Sequence, residues 1–485
     1  MFRRLVVPLL LLSLVSFAPA QSEPGKQVAA IRHQLPEFRD ISVWKGRAGL
    51  ARFSPRGTFL AVSSKTADVA IYNSATGELV TKIDGKGFTA FSFSPDEKHV
   101  IAQNRADGSM TVYEIESGAH VRDIRGLGKV SNMSKLLGGA GIINELNGIF
   151  PVIVLEMGNV PATRDWKYLL VNKNDREFEI VDFVSGEHRY DIKHANFNSG
   201  WEAAKLTLAI LGGVSGAGTA GYLMLGSISN PQFSANGRYL LIASGNKKPT
   251  LWKMEDGSMV SKFDSDSRIF YSKFSPDETM VATSDFDGIT RIWKTENGEL
   301  VTSIGSKKDE GVIAGWSTDS KKVFVNPTGK GDLAAYDALT GEKLYDFAGS
   351  ASQGAIFSDD QSLVFTTPHK NKRVLFQVWE TATGKLLATV PREKKQDAVI
   401  TVKWNPNNKL IATADGFKKP VHVWNINGEL VQVLENSTPP MEFSQDGTLL
   451  ATGGVVPGQK KADNGYLWEF YLDQPERLAK VFLQY

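Results

Sequence analysis

The chain of 485 residues contains no cysteine. That excludes a disulfide framework, thiolate metal sites and a cysteine nucleophile, and with them a lipoprotein anchor, which needs an acylated Cys directly after the leader. An excess of one charge is missing as well. Lys and Arg number 55 against 53 Asp and Glu, for a net charge of +2. Two of the cations, Arg3 and Arg4, stand in the first residues, so the rest is close to neutral. A nucleic-acid partner needs a concentrated basic face, and none is expected here. Lys247-Lys248 and Lys394-Lys395 read as solvated loop charges.

Chemistry-bearing patterns are scarce. The seven histidines, His33, His99, His120, His188, His194, His369 and His422, show no metal-ligand spacing, the nearest pair being His188 and His194. There is no H-E-x-x-H, no G-x-S-x-G and no P-loop. Gly216 to Gly221 fits G-x-G-x-x-G, but a dinucleotide site needs an acidic residue about 20 positions on; the next one is Glu255. Asp107-Gly108 and Asp287-Gly288 read as tight turns, because a calcium loop needs more acidic residues at alternating positions. No catalytic residue, metal or cofactor is therefore expected.

Long apolar runs are few. One opens the chain: Arg3-Arg4, an apolar stretch over residues 5–17, then Ala18-Pro19-Ala20 before Gln21. This is the pattern of a cleaved secretory signal over residues 1–20, too short to span a bilayer comfortably. An uncleaved N-terminal anchor is the alternative. A secreted chain without cysteine points to a periplasmic or extracellular protein. Residues 21–36, polar and with Pro24 and Pro36, read as a linker, and residues 37–485 as one folded unit.

What the chain has in quantity is a repeat. Residues 274–304, FSPDETMVATSDFDGITRIWKTENGELVTSI, show one copy. A short strand ends in Phe-Ser-Pro-Asp. A second strand (MVATS), an Asp-Gly turn, a third strand ending in Trp293, a Gly-bearing hairpin and a fourth strand (LVTSI) follow. The hairpin glycines are Gly77, Gly118, Gly186, Gly257, Gly298, Gly341, Gly384 and Gly428. A turn that needs positive φ admits Gly at little steric cost. Ahead of them stand Tyr72, Tyr113, Trp252, Trp293, Tyr336, Trp379 and Trp424, with Val181 in the third copy. First-strand markers are Phe53, Phe93, Phe233, Phe274, Trp316, Phe357, Trp404 and Phe443, and a degenerate copy covers residues 162–171.

A period of about 40–45 residues with four strands per period indicates a β-propeller. The units resemble the WD40 family, with Asp285 to Trp293 loosely matching its Asp-x-x-Gly-Ile-x-x-x-Trp pattern. The Gly-His dipeptide of that family is absent, so its buried His-Asp network is not carried over. The expectation is an all-β fold: a single propeller of eight or nine four-stranded blades, its aromatics filling the space between blades. The two chain ends should share the last blade, through residues 40–44 or 478–483. The resemblance implies a rigid platform whose loops dock another protein.

The period breaks twice, leaving insertions at about 126–160 and 196–230 on either side of the third unit. Between residues 136 and 155 the only charge is Glu145, and between 206 and 237 there is none. Trp201 to Lys205, after Asn198 or Ser199, reads as a helix start. Three readings stand: two membrane spans, which would strand the third unit across a bilayer from its neighbours; an apolar helical hairpin over one face of the ring; or an exposed apolar surface for a partner protein or a lipid surface. The candidate contact residues are Trp201, Leu206, Ile210 and Leu223 of the second insertion with Ile149 and Phe150 of the first. An alternative function, a hydrolase or lyase at the channel mouth, would require carboxylates, His or Arg converging at one end of the axis. A membrane-associated module held by the insertions is the third reading.

Overall fold

The computed structural model describes residues 26–27, 48–64, 69–83, 88–104, 110–124, 162–163, 165–174, 177–183, 185–193, 232–242, 248–267, 269–285, 287–305, 311–327, 331–350, 352–368, 373–393, 399, 401–407, 409–414, 420–435, 437–454 and 464–469. Among these residues there is no helix, and 35 strands form nine sheets. In chain order the sheets cover residues 48–83, 88–124, 162–193, 232–262, 269–304, 311–346, 352–391, 401–434 and 437–469, here blades 1 to 9. Each is an antiparallel meander. Eight hold four strands; blade 3 holds three, its first strand reduced among the described residues to one bridge between Ala162 and Leu169.

Blade 9 joins the two ends of the chain. Its own three strands are completed by Lys26–Gln27, which pairs with Glu469 and Trp468. The shared blade was expected; the strand that makes it comes from the stretch read as a linker. Residues 40–44 and 478–483 lie outside the described residues.

The ring is closed by packing. Nine apolar clusters each bridge two consecutive blades, one for every seam. Across the closing seam, Ala451 and Leu467 of blade 9 meet Leu60, Val62 and Tyr72 of blade 1. Each sheet thus has two buried faces, which is why a central strand such as Met280–Asp285 is buried at every residue. A lone blade would expose both faces, so blade and ring form together.

The recurring aromatics are in these seams. Tyr72, Trp293, Trp379 and Trp468 are buried. An indole N–H in a seam needs an acceptor: Trp293 Nε1 donates to Thr283 Oγ1 at 2.8 Å, Trp379 to Thr366 at 2.8 Å and the half-buried Trp424 to Thr413 at 2.9 Å. Opposite the aromatic, on the outer strand, sits an aliphatic residue: Leu300 pairs with Trp293 and Leu386 with Trp379. These residues are solvent-exposed at the rim, yet they lie on the same sheet face as the ring they flank. Blade 3, whose third strand has Val181 in the aromatic position, fills its seam with blade 2 differently. Trp166 and Phe183 meet edge to face at 4.7 Å, in one cluster with Ile101 and Val112.

The hairpin glycines serve two purposes. Gly298 has φ +71°, the left-handed region, as the turn requires. A Cβ there would also lie 1.8 Å from Ser261 Oγ, because the hairpin of blade 5 rests on the outer strand of blade 4.

Candidate functional site

Alternating strand direction divides the ring into two faces. Turns from first to second strand and from third to fourth strand emerge on one, the turn face. Links from second to third strand, and from each blade to the next, emerge on the other, the loop face. Both insertions are blade-to-blade links. One follows Ile124 and precedes Ala162; the other follows Lys193 and precedes Gln232. The chain therefore leaves for both insertions from the loop face, on the two sides of blade 3. The candidate residues Ile149, Phe150, Trp201, Leu206, Ile210 and Leu223 lie outside the described residues. So do His33, His194, His369 and residues 1–20.

The turn face is locked by short-range hydrogen bonds. In Ser275-Pro276-Asp277-Glu278, the Ser275 hydroxyl donates to Asp277 Oδ1 at 2.6 Å and accepts from Met280 N–H at 3.0 Å. The same arrangement recurs at Ser94, Thr163, Ser317, Ser358 and Ser444. The fourth turn residue has positive φ: Gly57, Gly237 and Gly447, but also Glu97, Trp166, Glu278, Ser320 and Gln361. Left-handed backbone is costly for a residue with a side chain, and several of these side chains latch the preceding blade. Glu278 Oε1 accepts from Asn236 N–H at 2.6 Å, Glu97 accepts from Arg56 N–H, and Ser320 Oγ accepts from Asp277 N–H at 3.1 Å. Tyr345 adds a bond to the next blade, donating to Thr381 O at 2.6 Å; burial pushes its phenol up to about 12.

On the loop face, blade 5 carries a buried polar network. Asp285 Oδ1 accepts from Asp287 and Ile289 N–H, each at 3.0 Å, which fixes the Asp-Gly turn. Its Oδ2 accepts from Ser265 and from Arg291 Nη1, and Arg291 Nη2 donates to Asp266 Oδ2 at 3.1 Å. Asp285 is fully buried and Arg291 nearly so. The link from blade 4, through Ser265 and Asp266, is thereby tied to the turn of blade 5. Arg291 and Ser265 are the partners Asp285 has in this chain, which lacks the Gly-His dipeptide.

The first strands form the innermost layer, since first strands touch across the seams between blades 5 and 6, 6 and 7, 8 and 9, and 9 and 1, as residues 48–53 touch residues 437–443. The residue before the terminal aromatic of the first strand is half-buried between buried neighbours at Ser92, Lys403 and Glu442, and half-buried at the same position in Arg52, Gln232, Lys273 and Ile356. Charge concentrates where the ring closes. Lys403 of blade 8 donates to Glu442 Oε2 of blade 9 at 2.6 Å. Arg52 of blade 1 feels the Glu442 carboxylate, and burial pulls its guanidinium below the usual range. Asp359, in the first turn of blade 7, has its carboxyl raised by burial, with Lys403 opposing the rise and Glu442 adding to it. Charged groups of four consecutive blades, Asp359, Lys403, Glu442 and Arg52, thus interact near the turn face. The sequence reading missed this cluster: Arg52, Lys403 and Glu442 share one position, directly before the first-strand marker, but they are far apart along the chain and Asp359 does not share it.

The cluster contains no described histidine. Among the described residues no three His, Asp or Glu side chains are placed to hold a metal ion. His120 and His188 sit on outer strands beside Asp123 and Asp191, at 3.0 and 3.1 Å. No described helix is long and apolar enough to cross a membrane.

A sequence profile of the WD domain, G-beta repeat, matches residues 257–294. That stretch runs from Gly257 in the last hairpin of blade 4 to Lys294 at the end of the third strand of blade 5. No curated protein matches the chain. Solved structures are similar to it in fold. A eukaryotic initiation factor has a TM-score of 0.55 at 15% identity, over 81% of this chain and 88% of that one. The Cps50 (Swd1) β-propeller domain of Myceliophteria thermophila has a TM-score of 0.40 at 15% identity, over 64% and 95%. The dihydro-heme d1 dehydrogenase NirN in complex with DHE has a TM-score of 0.49 at 14% identity, over 81% and 76%.

Proposed function

We propose that this WD40-like propeller is a secreted scaffold that binds another protein through the apolar insertions flanking blade 3. WD40 propellers are commonly protein-interaction scaffolds, a stiff ring carrying variable loops. One observation carries the reading: two insertions, each with a long stretch nearly free of charge, depart from the same face, on both sides of one blade. Apolar surface gathered at one place on a secreted protein marks an interaction site. Trp201, Leu206, Ile210, Leu223, Ile149 and Phe150 are its contact residues, and the leader at residues 1–20 directs the chain to the periplasm or beyond.

The test is co-purification. Full-length protein and a variant with residues 196–230 replaced by a short Gly-Ser linker are recovered from the native periplasm, and the accompanying proteins are identified by mass. The variant is expected to keep its melting temperature and lose one or more partners. An unchanged set of partners, with the ring intact, would refute the proposal. Fractionation after a salt wash addresses lipid contact: a membrane-held module stays with the membrane pool, and the scaffold proposed here does not.

A further inference from the structure

We propose that Asn427 is a modification site, converted by spontaneous deamidation to aspartate and isoaspartate faster than the other described Asn-Gly pairs, which the fold restrains. The site stands in the last hairpin of blade 8 and does not depend on the partner reading.

The described residues hold Asn-Gly at 236–237, 297–298, 427–428 and 464–465. The reaction is intramolecular. The Gly backbone nitrogen attacks Cγ of the Asn carboxamide and a C–N bond forms. The carboxamide nitrogen leaves as ammonia, taking the proton of the Gly N–H, and a five-membered succinimide remains. Water opens that ring at either carbonyl, giving aspartate or isoaspartate. Gly favours the attack because no Cβ hinders it, and Asn counts among the thermolabile residues.

What separates the four pairs is how the Asn is held. Asn236 Oδ1 accepts from Ser234 Oγ at 3.0 Å and from Arg238 N–H at 2.9 Å. Asn297 Oδ1 accepts from Glu299 N–H at 2.9 Å. Asn464 and Gly465 lie in a strand, and both are paired in its ladder with Gly454 and Gly453. In blade 8 the hairpin is tighter: Gly428 is four residues after Trp424, whereas Gly298 is five after Trp293. Its anchor is Asn425, whose Oδ1 accepts from the N–H groups of Asn427 and Glu429, each at 3.0 Å. The Asn427 carboxamide is thereby left without that duty. It is exposed and makes no side-chain hydrogen bond among the described residues. The Gly N–H does not discriminate, since Gly237, Gly298 and Gly428 each donate to a backbone carbonyl at 2.9–3.0 Å.

The product matters to the ring. Aspartate adds a negative charge beside Glu429, and isoaspartate lengthens the backbone by one methylene. Gly428 rests on the outer strand of blade 7: a Cβ there would lie 2.9 Å from Val390 Cγ2 and 3.1 Å from Ala388 Cβ. A longer backbone at this point pushes the hairpin off that strand and loosens the seam between blades 7 and 8.

The experiment incubates the full-length folded protein at mildly alkaline pH and follows each Asn-Gly peptide by mass. The amide-to-acid gain is expected at Asn427 several-fold faster than at Asn236, Asn297 or Asn464, with aspartate and isoaspartate both formed. In denaturant the four rates should converge, because the restraint belongs to the fold. Asn427→Gln, whose longer side chain disfavours the five-membered ring, should remove this signal and leave the other three unchanged. Protein enriched in isoaspartate should exchange the amides of residues 386–391 faster than fresh protein. Conversion at Asn427 no faster than at Asn236 and Asn297 in the folded protein, or the same ranking in denaturant, would overturn the proposal; unchanged exchange at 386–391 would overturn its consequence for the seam.

Discussion

Blades 5 and 3 solve the same packing problem with different parts. Blade 5 has four strands, a Trp in the third strand, and short links held by Asp285, Arg291 and Ser265. Trp293 stacks on Phe263 of the preceding link at 5.1 Å with the planes 15° apart. Blade 3 has three described strands and a single bridge, a valine in place of the Trp, and a polar start to its outer strand at His188 and Arg189. Its seam is filled from the turn instead, by Trp166 against Phe183. The requirement is therefore a filled seam rather than a fixed residue, because apolar burial has no preferred direction. The seam stays closed while the pattern relaxes, and it relaxes in the blade that the two insertions flank.

Substitutions can break or sharpen that contrast. The largest effect is expected from Arg291→Ala, which leaves the Asp285 carboxylate buried without its cation. A loss of about 3–5 kcal/mol is expected in chemical denaturation, and a loss below 1 kcal/mol would mean that the network does not hold blade 5 together. Trp166→Ala should cost about 3 kcal/mol by emptying the seam between blades 2 and 3. A near-neutral result would show that blade 3 is held by something other than this pair. Gly298→Ala should cost about 2 kcal/mol, because it combines left-handed backbone with a clash against Ser261. The same change at Gly57, where a Cβ meets nothing within 4 Å, retains only the backbone part and should cost less. Equal losses at the two glycines would remove the close approach between blades as a cause.

Much of this ring could be read from residue spacing. The hairpin glycines and the aromatics before them located third and fourth strands, and the Phe-Ser-Pro-Asp series located the ends of the first strands. Asp285 was visible as a turn former, but its partners were not. Arg291 and Ser265 meet it only after two links fold onto one seam. The charges that meet across blades 7, 8, 9 and 1 were hidden for a similar reason. Arg52, Lys403 and Glu442 are far apart along the chain, and nothing local marks them as neighbours. The insertions stood out by composition alone, and topology has added the face from which they leave.

Local propensity and periodicity belong to the chain itself: the strand count per unit, the positive-φ turns and the buried ring positions follow from short-range sterics and from which side chains avoid water. Tertiary structure decided the number of blades in the ring, the two-residue strand that joins its ends, and the meeting of charges from four blades near the turn face. Those outcomes depend on long-range closure, where the packing of every seam at once selects one arrangement that no single unit encodes.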